Sequence, residues 1–163
     1  MNAKDYYAQL EDDFTSRISD VNQYHKLMNV KASDPVGGLY RRLLILILYA
    51  HSEGFCYFAL THYISAINAE EIERCDANPA IVAISINKHI NEMINPKAKS
   101  KYYSAKLPDD NKLWALARRM EFMESIDEHL KQKVNISDDC INLESNIRPI
   151  VLRKALFSVG LDY

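Results

Sequence analysis

Glycine, proline and cysteine are all scarce in this 163-residue chain, at four, five and three residues. Few breakers leave long helical stretches separated by short punctuated connections. Three cysteines, Cys56, Cys75 and Cys140, are an odd number without a short spacing. That excludes a disulfide framework and a cysteine-type zinc site, and makes a reducing compartment the default. An excess of one charge is also lacking: 20 Lys+Arg face 22 Asp+Glu, a formal net charge of -2. A strongly basic nucleic-acid coat is therefore excluded, although local patches remain open. The longest uninterrupted apolar run is Leu43 to Ala50, too short for a bilayer core that needs about 20 residues. The N-terminus has no apolar segment with a small-residue cleavage pattern, so the expected setting is cytoplasmic, away from membranes. There is no His-Glu-x-x-His run, no Gly-rich phosphate loop and no Gly-x-Ser-x-Gly. No metal or cofactor is expected on these grounds.

What is present is the composition of a single soluble domain over residues 1–163, with 48% hydrophobic, 26% charged and 10% aromatic residues. Tyr7, Leu10, Phe14, Ile18, Val21, Tyr24 and Leu27 recur every three or four positions, which predicts an amphipathic helix from about Ala3 to Val30. After the turn Ser33 to Gly38, a second helix is predicted from Leu39 to Asn68. Its opposite faces are both largely apolar, as expected of a long, central, buried helix. A third helix is predicted over Pro79 to Ile94, a fourth from Asp109-Asp110 to Lys133, and a last one over Ser145 to Val159 with Gly160 as its cap. Pro96 to Pro108 reads as a loop, and Val134 to Asn142 as an extended crossing. No repeated alternation of apolar and polar residues signals strands. The predicted fold is all-α, an up-and-down helical bundle.

Glu53 is the most informative candidate, a carboxylate in the middle of a helix that is apolar nearly all round. It is either a structural acceptor, with the hydroxyls of Tyr49 and Tyr57 four residues away on either side to satisfy it, or a group that orients a catalytic Arg or His from another helix. The neighbouring Gly54 allows another backbone to approach closely. His51 lies about 200° around the helix from Glu53, so the two cannot share a proton directly. It is a packed histidine with a bonded ring nitrogen, or a general base. The remaining histidines, His25, His89 and His129, have no partner spacing of a metal site. Lys97, Lys99, Lys101 and Lys106 interleave with Tyr102 and Tyr103 without an acid, a pattern that could follow a single-stranded backbone while a tyrosine stacks, or be a solvated loop. The pairs Arg41-Arg42 and Arg118-Arg119 carry the same two readings, with surface ion pairing the plainer one.

The segment Leu43 to Phe55, with Tyr49 and Glu53-Gly54-Phe55, the later Tyr63, the run Asn142 to Ile147 and the run Leu156 to Asp162 together resemble bacterial HEPN proteins of defence and toxin–antitoxin loci. The resemblance implies a helical bundle, RNA as partner, a homodimer or a partner protein encoded nearby, and metal-independent endoribonuclease activity. It also implies a catalytic Arg followed by four to six residues and a His. In this sequence Arg17 precedes His25 at too wide a spacing, Arg41 and Arg42 reach His51 after nine and eight intervening residues, and Arg119 reaches His129 after nine. The motif is missing, and relatives tend to carry it after a Gly-Leu-Asp segment like Gly160 to Asp162. The expected site is then Glu53 with His51 as catalytic-site residues, RNA contacts from Arg42, Lys97, Lys99, Lys101, Tyr102 and Tyr103, and an Arg/His pair supplied by an extension or a partner. The alternative is a non-catalytic helical interaction module.

Overall fold

Helices form where the apolar residues recur at three and four. The structure, a computed structural model, describes residues 3–27, 35–95, 100–102, 110–145 and 147–161. In chain order the helices are α1 (Ala3–Leu27), α2 (Pro35–Ala69), α3 (Pro79–Ser85), α4 (Asn87–Ile94), α5 (Asn111–Glu124), α6 (Ile126–Lys131) and α7 (Pro149–Ser158), with short 3-10 turns at Arg74–Asp76 and Asp138–Cys140. Apart from a single antiparallel bridge between Glu73 and Lys133, every regular element among the described residues is helical. The all-α expectation holds.

Boundaries move for local reasons. The predicted third and fourth helices each divide at one residue, Ile86 and Ser125. At the second break the Ser125 hydroxyl donates back to the carbonyls of Glu121 (3.0 Å) and Phe122 (3.3 Å), competing with the helical ladder. The last helix begins at Pro149 rather than Ser145. Proline favours the first helical position and disfavours helical backbone at the residue before it, and Arg148 is extended, with φ −105° and ψ 159°. Glu144 and Ser145 also hold positive φ, at 52° and 46°. At the far end Gly160 does cap α7. With φ 82° it allows Gly160 N–H to reach Phe157 O and Leu161 N–H to reach Leu156 O, both 3.0 Å, the paired bonds of a Schellman ending.

The chain forms two compact units, Met1–Glu70 with Asp138–Tyr163, and Glu71–Ser137. In the first, α1 and α2 run antiparallel. Tyr6 donates to Ala59 O (3.2 Å) and stacks on His62, whereas Phe14 meets Phe55 edge-on at 5.5 Å between centroids. Leu60, Ile64, Leu143, Val151, Ala155 and Val159 are its buried apolar residues.

The long helix is present, but its predicted burial is not. Among the described residues of α2 only Gly37, Leu60 and Ile64 are buried, while Leu39, Leu43, Ile45, Leu46 and Leu48 are exposed. A helix apolar on every side needs neighbours on every side, and α1 lies along one of them. By length and composition, Val36–Ala69 would suffice to cross a membrane, with a mean hydropathy of 1.6 in its most apolar window; counting only unbroken apolar runs misses this. Its partner α1 carries the Arg17–Asp13 ion pair beside Gly54, charges that hydrocarbon would accept only at high cost.

The second unit is organised around a buried arginine. Arg74, 5% exposed, donates through Nε to Ser85 Oγ (2.9 Å), through Nη2 to Ser85 O (3.3 Å), and through Nη1 to His129 O and Gln132 Oε1 (both 2.9 Å). Ser85 Oγ also accepts from Asn135 N–H at 3.0 Å. Four bonds to neutral oxygens offset the desolvation of the guanidinium, which only its planar fork can reach together. Around it, Ile81, Ile86, Ala117, Val134 and Ile136 are buried. Arg74→Lys, which keeps the charge and loses the fork, is expected to destabilise this unit by about 2–3 kcal/mol. Trp114, the sole tryptophan and part of α5 in this unit, makes urea denaturation followed by fluorescence the measurement; an unchanged midpoint would remove Arg74 from its central role.

Candidate functional site

The sequence places Glu53 and His51 on α2, and the structure leaves both half-buried. Neither tyrosine serves Glu53. The Tyr49 hydroxyl accepts the N–H of Ile147, and Tyr57 is exposed. Among the described residues Glu53 makes no hydrogen bond or ion pair, and His51 Nδ1 is buried without a hydrogen-bond partner. The expected close approach at Gly54 does occur, though by a side chain rather than a backbone. A Cβ built there would lie 2.5 Å from Arg17 Nη1, while Arg17 is held by Asp13 through Nε (2.6 Å) and Nη2 (3.1 Å). The guanidinium, part-exposed and linked to a carboxylate, thus rests over the one α2 position beside Glu53 that has no side chain.

Of the proposed RNA contacts, Arg42 is exposed on α2. Lys97, Lys99, Tyr103 and Lys106 lie outside the described residues. Lys101 and Tyr102 are described, and both are tied to α5. Lys101 Nζ lies 3.0 Å from Glu124 Oε2, the Tyr102 hydroxyl donates to Glu124 Oε1, and Glu121 Oε1 accepts from the Lys101 backbone and from Ser100 Oγ (2.7 Å). Hydrogen bonds from Tyr102 and then Lys101 hold the Glu124 carboxyl below its ordinary range. The acids that the basic stretch itself lacks are supplied by α5, one helix further along the chain.

Chemistry that sequence spacing does not reveal collects in the second unit. His89 on α4 and His129 on α6, forty positions apart, stand with ring centroids 4.3 Å apart, and Phe122 on α5 stacks on His129 at 5.3 Å. All three residues line a pocket of about 300 Å³, together with Glu92, Met93, Arg118, Glu121 and Ser125. Arg118, read from sequence as a surface ion-pairing residue, is instead 6% exposed and donates Nε–H to Met93 O at 2.9 Å. His129 Nδ1 is buried without a hydrogen-bond partner, and Glu92 Oε2 lies 3.8 Å from His89 Nδ1. Burial first, then the His129 ring, and with smaller parts from Arg74 and Lys88, pull the His89 pKa down; Glu92 opposes them. The pocket thus mixes three aromatic rings with two carboxylates and a guanidinium. Elsewhere in this unit Glu73, Cys75 and Asp76 bring possible metal-ligand atoms within 4.8 Å of one another, all on exposed side chains that water serves equally well.

Two outcomes follow from this geometry. Gly54→Ala pushes aside only the end of a flexible arginine, and alanine gains about 1 kcal/mol of helix propensity over glycine, against an Arg17–Asp13 pair worth at most about 1 kcal/mol. Its melting temperature is expected at or above that of the parent; a fall of several degrees would show that Arg17 is rigidly required where it lies. For His89, a folded pKa below the ordinary value of roughly 6.5 means that the unfolded chain binds the proton more readily. The contribution to stability is present above that value and lost as pH falls through the lower folded pKa. His89→Asn is expected to flatten the loss of stability on acidification, measured as urea midpoints across that range, and an undiminished slope would contradict the shift.

The chain matches the family model described as HEPN_MAE_28990-like HEPN over residues 6–163. No curated protein and no solved structure matches it. A match running from the first turns of α1 past the end of α7, through both compact units, shows that the chain belongs to the HEPN family.

Proposed function

We propose that this chain is an RNA-directed HEPN component of a bacterial toxin–antitoxin or antiviral defence system, acting in the cytoplasm as one domain built from both units. Membership of the family over residues 6–163 is the observation that carries this reading. The chemistry would be of the metal-independent endoribonuclease type, in which a histidine moves the proton of the ribose 2′-hydroxyl or of the leaving oxygen and an arginine stabilises the charged phosphorus centre. No arginine of this sequence precedes a histidine by the family spacing, so the Arg/His pair would come from an extension or from a partner polypeptide. Glu53 and His51 would then support a site completed by that second chain, with Arg42 and the basic stretch around Lys101 meeting the RNA backbone. For Lys101 and Tyr102 this requires RNA phosphate to compete with Glu124.

The exposed apolar stripe of α2 supports the pairing. Leu39, Leu43 and Leu46 follow one another at helical spacing and are 58%, 40% and 63% exposed, a surface suited to a second copy of the chain or to a partner encoded nearby. The same stripe, with the missing motif, favours a second reading in which the chain assembles with a partner and cuts nothing itself.

Incubation with total RNA, alone and with the products of neighbouring genes, separates the two. The first reading expects cleavage by the complex that is lost in Glu53→Gln at an unchanged melting temperature. Stable assembly without any cleavage, or cleavage indifferent to Glu53→Gln, would leave the interaction module.

A further inference from the structure

One side of α5 has no use inside its own unit. Leu113, Leu116, Met120 and Met123 follow one another at spacings of three, four and three, so they fall on a single line along the helix. All four are exposed, at 38%, 52%, 48% and 64%. The rest of the helix is committed to the unit. Ala117 on the flank is buried, and on the far side Arg118 donates to Met93 O while Phe122 stacks on His129. Rolling the apolar line inward would break those contacts, so it stays in water until another molecule covers it. A row of this spacing is the seam of a and d positions over which two helices pack, and a contiguous exposed apolar row marks an interaction surface. Its two methionines, unbranched and polarizable, adapt the seam to the side chains of an occupant.

The charges beside the seam select the occupant. With Leu113 and Met120 at a and Leu116 and Met123 at d, one flank holds Lys112 and Arg119 at g, seven residues apart. Both are exposed, and among the described residues neither side chain is engaged by an acid. The other flank holds, at e, the buried Ala117 and Glu124, whose carboxylate is already taken by Lys101 Nζ and the Tyr102 hydroxyl. The free charge along the seam is therefore of one sign. A second copy of the same seam does not answer it: antiparallel packing sets Lys112 against Arg119, and parallel packing sets Arg119 against the engaged Glu124. A nucleic-acid backbone brings negative charge but no aliphatic face for four exposed Leu and Met side chains. A helix with its own apolar stripe and acids one heptad apart satisfies both demands.

We propose that the face of α5 formed by Leu113, Leu116, Met120 and Met123 docks an acidic amphipathic helix of a partner polypeptide, whose acids pair with Lys112 and Arg119. From Leu113 to Met123 the seam rises about 15 Å, and α5 ends at Ser125, so the contact spans only about two heptads. A helix of that length is marginal by itself in water; the partner's segment is ordered by docking or carried on a folded scaffold. The assignment concerns the second unit alone, and it rests neither on the RNA-directed reading nor on the apolar stripe of α2.

The test is fluorescence anisotropy of two labelled peptides of about three heptads, titrated with the full chain. Both carry leucine at a and d; one has glutamate and the other lysine at e and g. The acidic peptide is expected to bind at least about tenfold more tightly than the basic one, with the gap narrowing as salt is added. Met120→Glu is expected to abolish binding of the acidic peptide. Lys112→Glu combined with Arg119→Glu is expected to exchange the preference in favour of the basic peptide. Melting temperatures should stay unchanged, because all three side chains are exposed. Leu43→Lys, on α2, is expected to leave the binding as it is. An acidic peptide that does not bind, equal binding of the two, a preference that survives the double reversal, or binding lost in Leu43→Lys overturns the assignment. Sedimentation of the chain alone supplies the last arm. A self-association lost in Met120→Glu and kept in Leu43→Lys makes a second copy the occupant and overturns the acidic helix, whereas the opposite pattern assigns pairing to α2 and supports a separate role for the α5 face.

Discussion

A single buried guanidinium sets the geometry of the second unit. Arg74 is satisfied by neutral oxygens rather than by a carboxylate: two of Ser85, one of Gln132 and the backbone carbonyl of His129. The acceptors lie at two places in the unit, the end of α3 and the end of α6. Ser85 ends α3 just before α4 begins, His129 belongs to α6, and Gln132 follows it. Because the guanidinium is planar and its donors diverge at fixed angles, bonding all of them fixes where the start of α4 lies relative to α6. His89 and His129 stand on those two helices. Their 4.3 Å approach, unfavourable if both rings were protonated, is thereby held in place, and the pocket inherits its shape from a residue that does not line it.

The hairpin of α1 and α2 works by a different rule. Its contacts are aromatic and aliphatic, with Tyr6 against His62 and Phe14 against Phe55. Arg17 brings charge to the seam, resting over Gly54 and neutralised by Asp13. The glycine of the Glu-Gly-Phe segment thus gives room to a guanidinium rather than to a second backbone. Beyond that seam α2 keeps a long apolar surface, with Leu43, Ile45, Leu46 and Leu48 exposed. Such a surface is costly in water, and it is the feature on which the proposed pairing rests.

Family and class were readable in the residues. The Leu43 to Phe55 segment carried the HEPN resemblance, and the three-and-four spacing marked every long helix to within a few residues. Local backbone chemistry explains the boundaries that moved: Pro149 disfavours a helical Arg148, and the Ser125 hydroxyl interrupts a ladder that periodicity alone runs straight through. Burial was read less well. Periodicity reports which faces of α2 are apolar, whereas whether a face is covered depends on how many other elements reach it.

The sequence by itself determined the all-α class, the family and the absence of the Arg–His spacing, because each is a property of residues close together along the chain. Only the tertiary structure decided the partners. It turned the Tyr49 hydroxyl to Ile147 instead of Glu53, drew Lys101 and Tyr102 onto Glu124, buried Arg118 against Met93, and set His89 beside His129. Hydrogen bonds and ring contacts act over a few ångströms of space. Those that join residues far apart along the chain, as Tyr49 and Ile147 are, leave no periodic trace in the sequence that makes them.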